Sequence, residues 1–245
     1  MPATFDLSGQ SILITGAARG IGRALALAAA QSGASVSAFD LEAAALDSLK
    51  SAAPAIRTAQ LDVVNRAEFL AAAARIGRVD AVVNNAMLIR YDPIEAVQEP
   101  ILDRMLAIGI KGAIWGTQVL LQQMDPAAGG VLLNLASPTA ERGIPNTAVY
   151  SLVKGAIATL TRTLAAELGP RGVRVNALAP ASIPTPGALA ITPREEYERR
   201  ATRIPLRRLG QESDATAAAL FLLSDASAYI SGEILHVDGG FLACA

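Results

Sequence analysis

Cysteine and histidine are almost absent from this sequence of 245 residues, which holds one of each, Cys244 and His236. A single cysteine cannot form an intramolecular disulfide, and Cys244 lies one residue from the chain end, so we interpret it as incidental. One histidine supports neither a histidine-rich metal site nor a Ser-His hydrolase triad. We therefore expect no metal ion, and we interpret His236 as a packed or interfacial residue.

The sequence also lacks long apolar runs and any excess of charge of one sign. No run approaches the length that spans a bilayer, and residues 1–10 contain Asp6 but no basic residue, unlike the start of a signal peptide. The net charge is −1, and the basic residues are scattered rather than gathered in one stripe. We therefore expect a cytoplasmic protein that binds a small molecule, with neither a membrane nor a nucleic acid as partner.

Aromatic residues are also few, at 4% of the chain, whereas the 52% hydrophobic content is rich in alanine, valine, leucine and isoleucine. This composition suits helices packed on both faces of a buried parallel sheet. Short apolar or β-branched runs predict seven strands, at 11–15, 35–39, 56–62, 81–84, 131–135, 173–179 and 233–237. Because these runs alternate with helical stretches, we predict an α/β fold: a single-domain Rossmann-type, doubly wound, seven-stranded parallel sheet with helices on both faces, spanning residues 1–245.

One segment departs from this alternation. Residues 181–210 combine several prolines with a charged run, in a stretch too long for an ordinary connection. We predict a substrate loop or lid, with a solvated surface helix between turns as the alternative. Its arginines could meet an anionic substrate, but the acidic residues between them indicate pairing on a helix surface, which is the interpretation we favour. The arginines are Arg194, Arg199, Arg200 and Arg203, and the acidic residues are Glu195, Glu196 and Glu198.

A glycine-rich turn follows the first predicted strand directly. The turn runs Thr15, Gly16, Ala17, Ala18, Arg19, Gly20, Ile21, Gly22, and an alanine-rich helical run follows it. Glycines permit a tight turn and a close approach of the backbone, while a helix N-terminus offers free N–H groups to a pyrophosphate. The order of strand, glycine loop and helix predicts a dinucleotide site, with cofactor contacts from Gly16, Arg19, Gly20, Ile21 and Gly22.

Asp40, at the end of the second predicted strand, selects between the two nicotinamide dinucleotides. A carboxylate at this distance from the glycine loop accepts hydrogen bonds from the adenosine ribose hydroxyls and repels a 2′-phosphate. We therefore predict NAD rather than NADP. The alternatives are that Asp40 only solvates a strand end and that Arg19 meets a 2′-phosphate. Asp62 and Val63, which end the third strand, are predicted to flank the adenine.

Several motifs in one order resemble the short-chain dehydrogenase/reductase family across nearly the whole chain. They are the spacing of Gly16, Gly20 and Gly22, the run Asn84-Asn85-Ala86, the set Ser137, Tyr150 and Lys154, and the run Val237-Asp238-Gly239-Gly240. Within the family the resemblance is nearest to 3-oxoacyl-carrier-protein reductase-like and polyol dehydrogenase-like members. It implies an enzyme that interconverts alcohols and carbonyl compounds.

The three polar residues of this set suit hydride-transfer chemistry. Oxidation of a secondary alcohol requires removal of the hydroxyl proton, and a tyrosine with a pKa of about 10 is a poor base near neutrality. Lys154 stands four residues after Tyr150, so on a helix both share a face, and we expect its ammonium to lower the tyrosine pKa. Ser137 is predicted to donate a hydrogen bond to the substrate oxygen. A tyrosine and a lysine four residues apart are otherwise an ordinary feature of helix surfaces.

The resemblance assigns further residues to the cofactor. It implies that Lys154 contacts the nicotinamide ribose, beside Tyr150, and that a segment after the sixth strand holds the carboxamide. That segment is matched here by Pro180, Ile183 and Thr185, with Ala181 where the family usually has glycine. Asn85 and Ala86 belong to the same site. The resemblance also implies a homotetramer or a homodimer, paired through the helix that carries Trp115 and the one after it.

Two positions depart from the family pattern. Gly109 stands where the family has an asparagine that supports a proton-relaying water, and Met87 replaces the glycine of the Asn-Asn-Ala-Gly motif. Met87 narrows the pocket beside the nicotinamide ribose or simply packs against it. We predict an NAD(H)-dependent oxidoreductase that interconverts a secondary alcohol and a ketone, with Tyr150 as general acid and base. The alternative is a catalytically weakened dinucleotide-binding scaffold or sensor.

Overall fold

The computed structural model describes residues 5–244, which contain one seven-stranded, all-parallel sheet. The strands follow the order β3-β2-β1-β4-β5-β6-β7. They are β1 (Ser11–Thr15), β2 (Ser35–Asp40), β3 (Arg57–Gln60), β4 (Ala81–Asn84), β5 (Gly130–Leu135), β6 (Val173–Pro180) and β7 (Ile234–Val237). The predicted fold class is confirmed, and each predicted strand is present.

Helices cover both faces of this sheet. They are α1 (Gly20–Gln31), α2 (Ala43–Ala52), α3 (Arg66–Ala74), α4 (Glu99–Leu106), α5 (Gly112–Gln123), α6 (Ala148–Leu168), α7 (Pro186–Leu189), α8 (Arg194–Arg203) and α9 (Glu212–Leu223). A π-helical turn, Ala107–Lys111, joins α4 to α5. Helices α1, α2 and α9 contribute to the core on one face, and α3, α5 and α6 to the core on the other. Within residues 5–244, no helix combines the length and the apolar character needed to cross a membrane.

The burial of the central strands explains why the apolar runs predicted them well. All four residues of β4 are buried, and Ile14 of β1 pairs in register with Ala38 of β2 and Val83 of β4. The strand β3 pairs only with β2 and is shorter than the predicted run 56–62. Apolar residues beyond its ends, Ile56 and Leu61, are buried without being strand residues. Burial rather than strand pairing therefore accounts for the extra length of that run.

The order of the strands decides where a ligand can bind. The chain steps outward from β1 to β3 on one side and from β4 to β7 on the other, so the direction of winding reverses between β1 and β4. A crevice opens at such a reversal, outside the carboxyl ends of the strands. The glycine loop leaves β1 at this edge, and Asp40, Asn85 and Ser137 stand at or just after the carboxyl ends of β2, β4 and β5.

The segment 181–210 contains two helices rather than one unbroken loop. After β6 the chain forms the short helix α7, then α8, before α9 begins at Glu212. Tyr197 of α8 is buried, whereas Arg199 is mostly exposed and pairs with Glu196 at 2.7 Å. The expected ion pairing on the helix surface is therefore present, but another face of the same helix turns inward.

Candidate active site

A cavity of about 470 Å³ lies at the carboxyl edge of the sheet. It brings together the three residues predicted to be catalytic, Ser137, Tyr150 and Lys154. Besides Tyr150 and Lys154, five of the predicted cofactor residues line the same cavity, namely Ile21, Asn85, Pro180, Ile183 and Thr185. The remaining cofactor residues lie outside its lining, namely Gly16, Arg19, Gly20, Gly22, Asp40, Asp62, Val63 and Ala86. The cavity thus joins the predicted catalytic residues to one end of the predicted cofactor site.

Ser137 follows β5, and its hydroxyl is oriented by the backbone. The side chain is 6% exposed, and the N–H of Thr139 donates a hydrogen bond to its Oγ at 3.3 Å. Because this bond uses a lone pair of Oγ, the hydroxyl proton stays available as a donor. A hydrogen bond between Ser137 and Tyr150 lowers the tyrosine pKa against the larger opposing effect of burial. The serine is therefore placed to donate toward an oxygen next to Tyr150.

Tyr150 and Lys154 share one face of α6, as their spacing predicted. The ammonium nitrogen of Lys154 lies 5.6 Å from the centroid of the Tyr150 ring. It donates a hydrogen bond of 2.5 Å to the carbonyl oxygen of Leu135, at the end of β5. Lys154 is 6% exposed, and burial lowers its pKa from an ordinary 10.5 to about 8. The backbone of the sheet therefore fixes the position of this lysine.

The pKa of Tyr150 moves in the direction opposite to the one expected from the lysine. Burial raises it, the neighbouring Tyr91 adds to the rise, and the hydrogen bond with Ser137 offsets only part of it. The Tyr91 ring meets the Tyr150 ring edge-on, with centroids 5.5 Å apart. Lys154 does not lower the pKa of Tyr150 as expected, and burial dominates because it disfavours the phenolate. The described residues hold Tyr150 as a neutral phenol near neutral pH.

A buried polar network anchors α6 to the sheet beneath these residues. Nδ2 of Asn84 on β4 donates to Oδ1 of Asn134 on β5 at 2.9 Å. Nδ2 of Asn134 donates in turn to Oγ1 of Thr161 on α6, also at 2.9 Å. Asn134 and Thr161 are both fully buried. Because buried polar groups need their partners, this network fixes the distance and the register between β5 and α6.

The glycine loop has the shape that a close-packed dinucleotide cradle requires. Gly16 has a φ of +63°, and a Cβ placed on it would lie 2.7 Å from Cα of Ala86. A Cβ on Gly22 would lie 2.2 Å from the carbonyl oxygen of Gly16. Nδ2 of Asn85 donates to that same oxygen at 2.8 Å and ties the loop to β4. Any larger side chain at Gly16 or Gly22 would fill this space.

The N-terminus of α1 and the end of β2 complete the predicted cofactor site. No side chain caps α1, and its first turn has no acidic residue, so its N–H groups suit a phosphate. Oδ2 of Asp40 accepts a hydrogen bond of 2.9 Å from the N–H of Ala18 in the loop. The guanidinium of Arg19 forms an ion pair with Glu42. These residues fit a dinucleotide whose pyrophosphate lies at α1 and whose ribose lies near Asp40.

Asp62 and Val63 follow β3 rather than end it, and both are already engaged by other residues. Oδ2 of Asp62 lies 2.7 Å from Nη2 of Arg104, and its Oδ1 accepts from the N–H of Val64 at 3.0 Å. Val63 is 6% exposed and belongs to the core on the α5 face. Packing and ion pairing therefore account for part of what these residues do, and their contact with adenine stays a prediction.

The two departures from the family pattern contact the same small region. Gly109 lies buried in the π-helical turn, where a Cβ would be 2.2 Å from Cγ1 of Val153 and 3.2 Å from Sδ of Met87. Met87 also lines the cavity and packs against the core near α6. Met87 thus both lines the cavity and packs against the core, and its position beside the nicotinamide ribose stays a prediction. The space of the asparagine side chain is taken by Val153 and Met87, so this chain cannot gain that side chain without repacking.

We expect Gly109→Asn to destabilise the protein by about 1–3 kcal/mol, because the new side chain overpacks against Val153. Combining it with Val153→Ala should recover part of this loss, with a coupling energy of about 1 kcal/mol. Urea unfolding of the wild type, the two single variants and the double variant measures this cycle. Purely additive effects would show that Val153 does not occupy the asparagine position.

Several residues of the cavity wall have no counterpart among the sequence predictions. Tyr91 belongs to no recognisable motif, and Tyr197 lies within a charged run that indicated only ion pairing. Phe241 and Cys244 come from the end of the chain, and Cys244, interpreted as incidental, lines the cavity. The Phe241 ring centroid lies 4.6 Å from the guanidinium carbon of Arg142. Only folding brings these distant segments together, although 181–210 was expected to form a substrate loop or lid.

His236 of β7 faces the loop that follows Ser137. Its Nε2 lies 3.2 Å from Oε1 of Glu141. Among residues 5–244, no group of three or more histidine, cysteine, aspartate or glutamate side chains is arranged to hold a metal ion. The interaction with Glu141 is consistent with a packing role for this histidine.

Comparison with known proteins places this fold and this cavity in a single family. The family described as Enoyl-(Acyl carrier protein) reductase matches residues 16–242. The L-xylulose reductase of Bos taurus is 36% identical over 239 residues, which cover 97% of this chain and 98% of the relative. The gluconate 5-dehydrogenase of Gluconobacter oxydans is 34% identical over 248 residues, covering 98% of this chain and 97% of the relative.

A solved structure gives the same assignment. The gluconate 5-dehydrogenase of Burkholderia cenocepacia J2315, in complex with NADP and tartrate, superposes with a TM-score of 0.92 at 31% identity, covering 99% of this chain and 98% of that one. The fold and the relatives define an oxidoreductase that acts on alcohols or ketones. The chain belongs to the short-chain dehydrogenase/reductase family.

Proposed function

We propose that this protein interconverts a secondary alcohol and a ketone with NAD(H), using Tyr150 as general acid and base. The observation that carries the proposal is the convergence of Ser137, Tyr150 and Lys154 in one cavity beside the glycine loop. Ser137 and Tyr150 offer two hydroxyl groups to one substrate oxygen. The cofactor supplies or accepts the hydride when bound, and the remaining chemistry is the transfer of one proton.

The residues of the chain favour the direction of ketone reduction. A tyrosine whose pKa is raised keeps its proton at neutral pH, so Tyr150 is ready to donate it to the oxygen as negative charge develops there. Ser137 donates a hydrogen bond to the same oxygen and stabilises that charge. The ammonium of Lys154 stabilises the phenolate left on Tyr150 until a proton from solvent restores it. In alcohol oxidation each of these proton movements reverses.

Two carboxylates at the end of β2 support NAD over NADP. Asp40 holds the glycine loop through the N–H of Ala18, so its charge stays at the end of β2, where our proposal has the adenosine ribose bind. Glu42 pairs with Arg19, the nearest cation in the loop that could meet a 2′-phosphate. The related B. cenocepacia enzyme was solved with NADP. Our proposal of NAD thus rests on Asp40 and Glu42 of this chain rather than on the relatives.

We expect Asp40→Asn to narrow the preference for NADH over NADPH by about tenfold, or about 1.4 kcal/mol, because it removes the charge that repels the 2′-phosphate. Asparagine keeps one oxygen that can accept from the N–H of Ala18 in the loop, and loses the second acceptor, which takes the N–H of Glu42. Fluorescence titration with both reduced cofactors measures the preference. Asp47→Asn makes the same charge change on the exposed side of α2 and serves as control. An unchanged preference in Asp40→Asn would mean that the ribose is recognised elsewhere.

The competing proposal is a dinucleotide-binding sensor with little turnover. The filled space at Gly109 favours it, because the proton relay through an asparagine is then absent. Cofactor titration followed by a panel of ketones, monitored through nicotinamide absorbance, separates the two. Turnover that requires Tyr150 supports the enzyme, whereas selective NADH binding with no turnover on a broad panel supports the sensor.

We also propose that 181–210 forms the substrate wall and that the protein is a cytoplasmic homotetramer or homodimer. Analytical ultracentrifugation tests the oligomeric state.

A further inference from the structure

The wall of the cavity is cationic, although the chain carries a net charge of −1. Its charged residues are Lys154, Arg142, Arg200, Arg203 and Glu196. The single carboxylate is already paired, since Glu196 lies 2.7 Å from Arg199 and 3.2 Å from Arg200. The cavity wall therefore has a positive charge that its own carboxylate does not balance. A cleft with charge of one sign and low-dielectric walls concentrates ligands of the opposite sign.

Arg200 lies beside the tyrosines that surround Tyr150. Its guanidinium carbon is 5.2 Å from the centroid of the Tyr197 ring, and Tyr197 is 4% exposed. Tyr91 and Tyr197 line the same cavity as Arg200, and the charge of Arg200 opposes part of the rise that burial causes in the pKa of each tyrosine. Tyr91 in turn contacts Tyr150 edge-on. A continuous wall thus leads from the catalytic tyrosine to a guanidinium.

Arg203 extends this positive surface by nearly one turn of α8. It lines the cavity, and no carboxylate among residues 5–244 pairs with it. Arg199, on the same helix, does not line the cavity, and its side chain is 70% exposed compared with 30% for Arg200. Helix α8 therefore has an exposed arginine outside the cavity, Arg199, and two arginines that line it, Arg200 and Arg203.

The cofactor phosphates do not account for these two arginines. The pyrophosphate site proposed above is formed by the glycine loop and the uncapped start of α1. The side chains that pack on this loop are Asn85 and Thr185, the latter with Cβ 3.2 Å from the position of a Cβ on Gly20. Arg200 instead contacts Tyr197, on the side of the cavity where Tyr91 meets Tyr150. An anion held by Arg200 therefore belongs to the substrate.

We propose that Arg200 and Arg203 bind the carboxylate of a small polyhydroxy keto acid whose carbonyl lies at Ser137 and Tyr150. A planar guanidinium matches a carboxylate with two parallel hydrogen bonds, which fixes the orientation of the substrate. Tyr91 and Tyr197 line the same cavity, and their hydroxyl groups suit the hydroxyls of such a chain. The inference rests on the proposed function, because it presupposes ketone reduction at Tyr150.

A matched pair of ketones tests this inference. 5-Keto-D-gluconate and L-sorbose have the same carbon chain and the same ketone. At the end far from the ketone, the first has a carboxylate and the second has a hydroxymethyl group. We expect the wild type to reduce the keto acid with the higher kcat/KM. In Arg200→Gln, the ratio of the two kcat/KM values should fall by about 10- to 100-fold, because the carboxylate loses a charged partner. Arg203→Gln should lower the ratio in the same direction, and Arg200→Lys should restore part of it.

Arg199→Gln is the matched control, because it removes the same charge and the other partner of Glu196 from the exposed side of α8. It should leave the ratio unchanged, and KM for NADH should stay constant in all the arginine variants. Three outcomes would overturn the carboxylate site while leaving the proposed enzymatic function standing. They are a preference for L-sorbose, a preference for an acetoacetyl thioester over both ketones, and a ratio that neither Arg200→Gln nor Arg203→Gln changes. If the wild type reduces no ketone of the panel with either cofactor, the proposed function fails and the inference fails with it.

Discussion

Tyr150→Phe is expected to lower the turnover of any ketone or alcohol substrate by about a thousandfold, within the range that general acid–base catalysis contributes. Phenylalanine keeps the ring and its edge-on contact with Tyr91, so only the hydroxyl that donates the proton is lost. The fold and the glycine loop are untouched, and NADH affinity should change by less than about threefold, well under 1 kcal/mol. Steady-state kinetics and cofactor titration of one preparation measure both quantities.

The fully exposed Tyr229 provides the control for this loss. Tyr229→Phe makes the same chemical change far from the cavity lining and should leave both turnover and NADH affinity at wild-type values. If Tyr150→Phe keeps more than about a tenth of the wild-type turnover, a range in which acid–base catalysis has little part, another group supplies the proton. Ser137 would then be the first residue to test, because its hydroxyl is a free donor in the same cavity.

Lys154→Met is expected to abolish most turnover without weakening the fold. Burial lowers the lysine pKa from 10.5 to about 8, a difference that corresponds to about 3 kcal/mol of unfavourable burial of the charge. Removing the ammonium removes this cost, whereas losing the hydrogen bond to Leu135 destabilises the fold by about 1–3 kcal/mol. The free energy of unfolding at pH 7 should therefore stay level or rise by up to about 2 kcal/mol, while turnover falls by about a hundredfold or more.

The difference in stability between Lys154→Met and the wild type should also depend on pH. Between about pH 8 and 10.5 the unfolded wild type binds more protons at Lys154 than the folded protein, so wild-type stability rises with pH in that window. The variant lacks this titration. Its stability relative to the wild type should thus be greatest below pH 8 and decline as the pH rises toward 10.5.

Urea unfolding at pH 7 and pH 9.5 measures the difference, with Lys111→Met as the control at an exposed lysine. That control should show neither the loss of turnover nor the dependence of relative stability on pH. A Lys154→Met protein that is several kcal/mol less stable than the wild type would show that Lys154 stabilises the fold rather than destabilising it.

The fold could be predicted from the sequence because its signals are local. Each central strand is a short apolar run, and each is buried between two layers of helices, as the four buried residues of β4 show. The glycine loop was equally visible, since the close contacts of Gly16 and Gly22 tolerate no side chain. The edge strand β3 was predicted too long, because apolar residues beyond its ends are buried without being strand residues.

The substrate half of the site was predicted less well, because its residues come from distant parts of the chain. Tyr91, Tyr197 and Phe241 line one cavity but share no motif or periodicity. The charged run on α8 favoured pairing on a helix surface, which is present for Arg199 and Arg200 with Glu196, but it did not show that Arg200 and Arg203 also line the cavity. A pattern of charges along a helix does not reveal which neighbouring element covers one of its faces.

The sequence by itself determined the sheet, the dinucleotide loop and the spacing of Ser137, Tyr150 and Lys154, because each depends on residues near one another in the chain. The tertiary structure alone decided the protonation of the site. Burial beside Tyr91 keeps Tyr150 neutral, and the carbonyl of Leu135 holds the buried Lys154. It also decided the charge of the cavity, because desolvation and electrostatic interactions depend on distances in space that the order of residues does not contain.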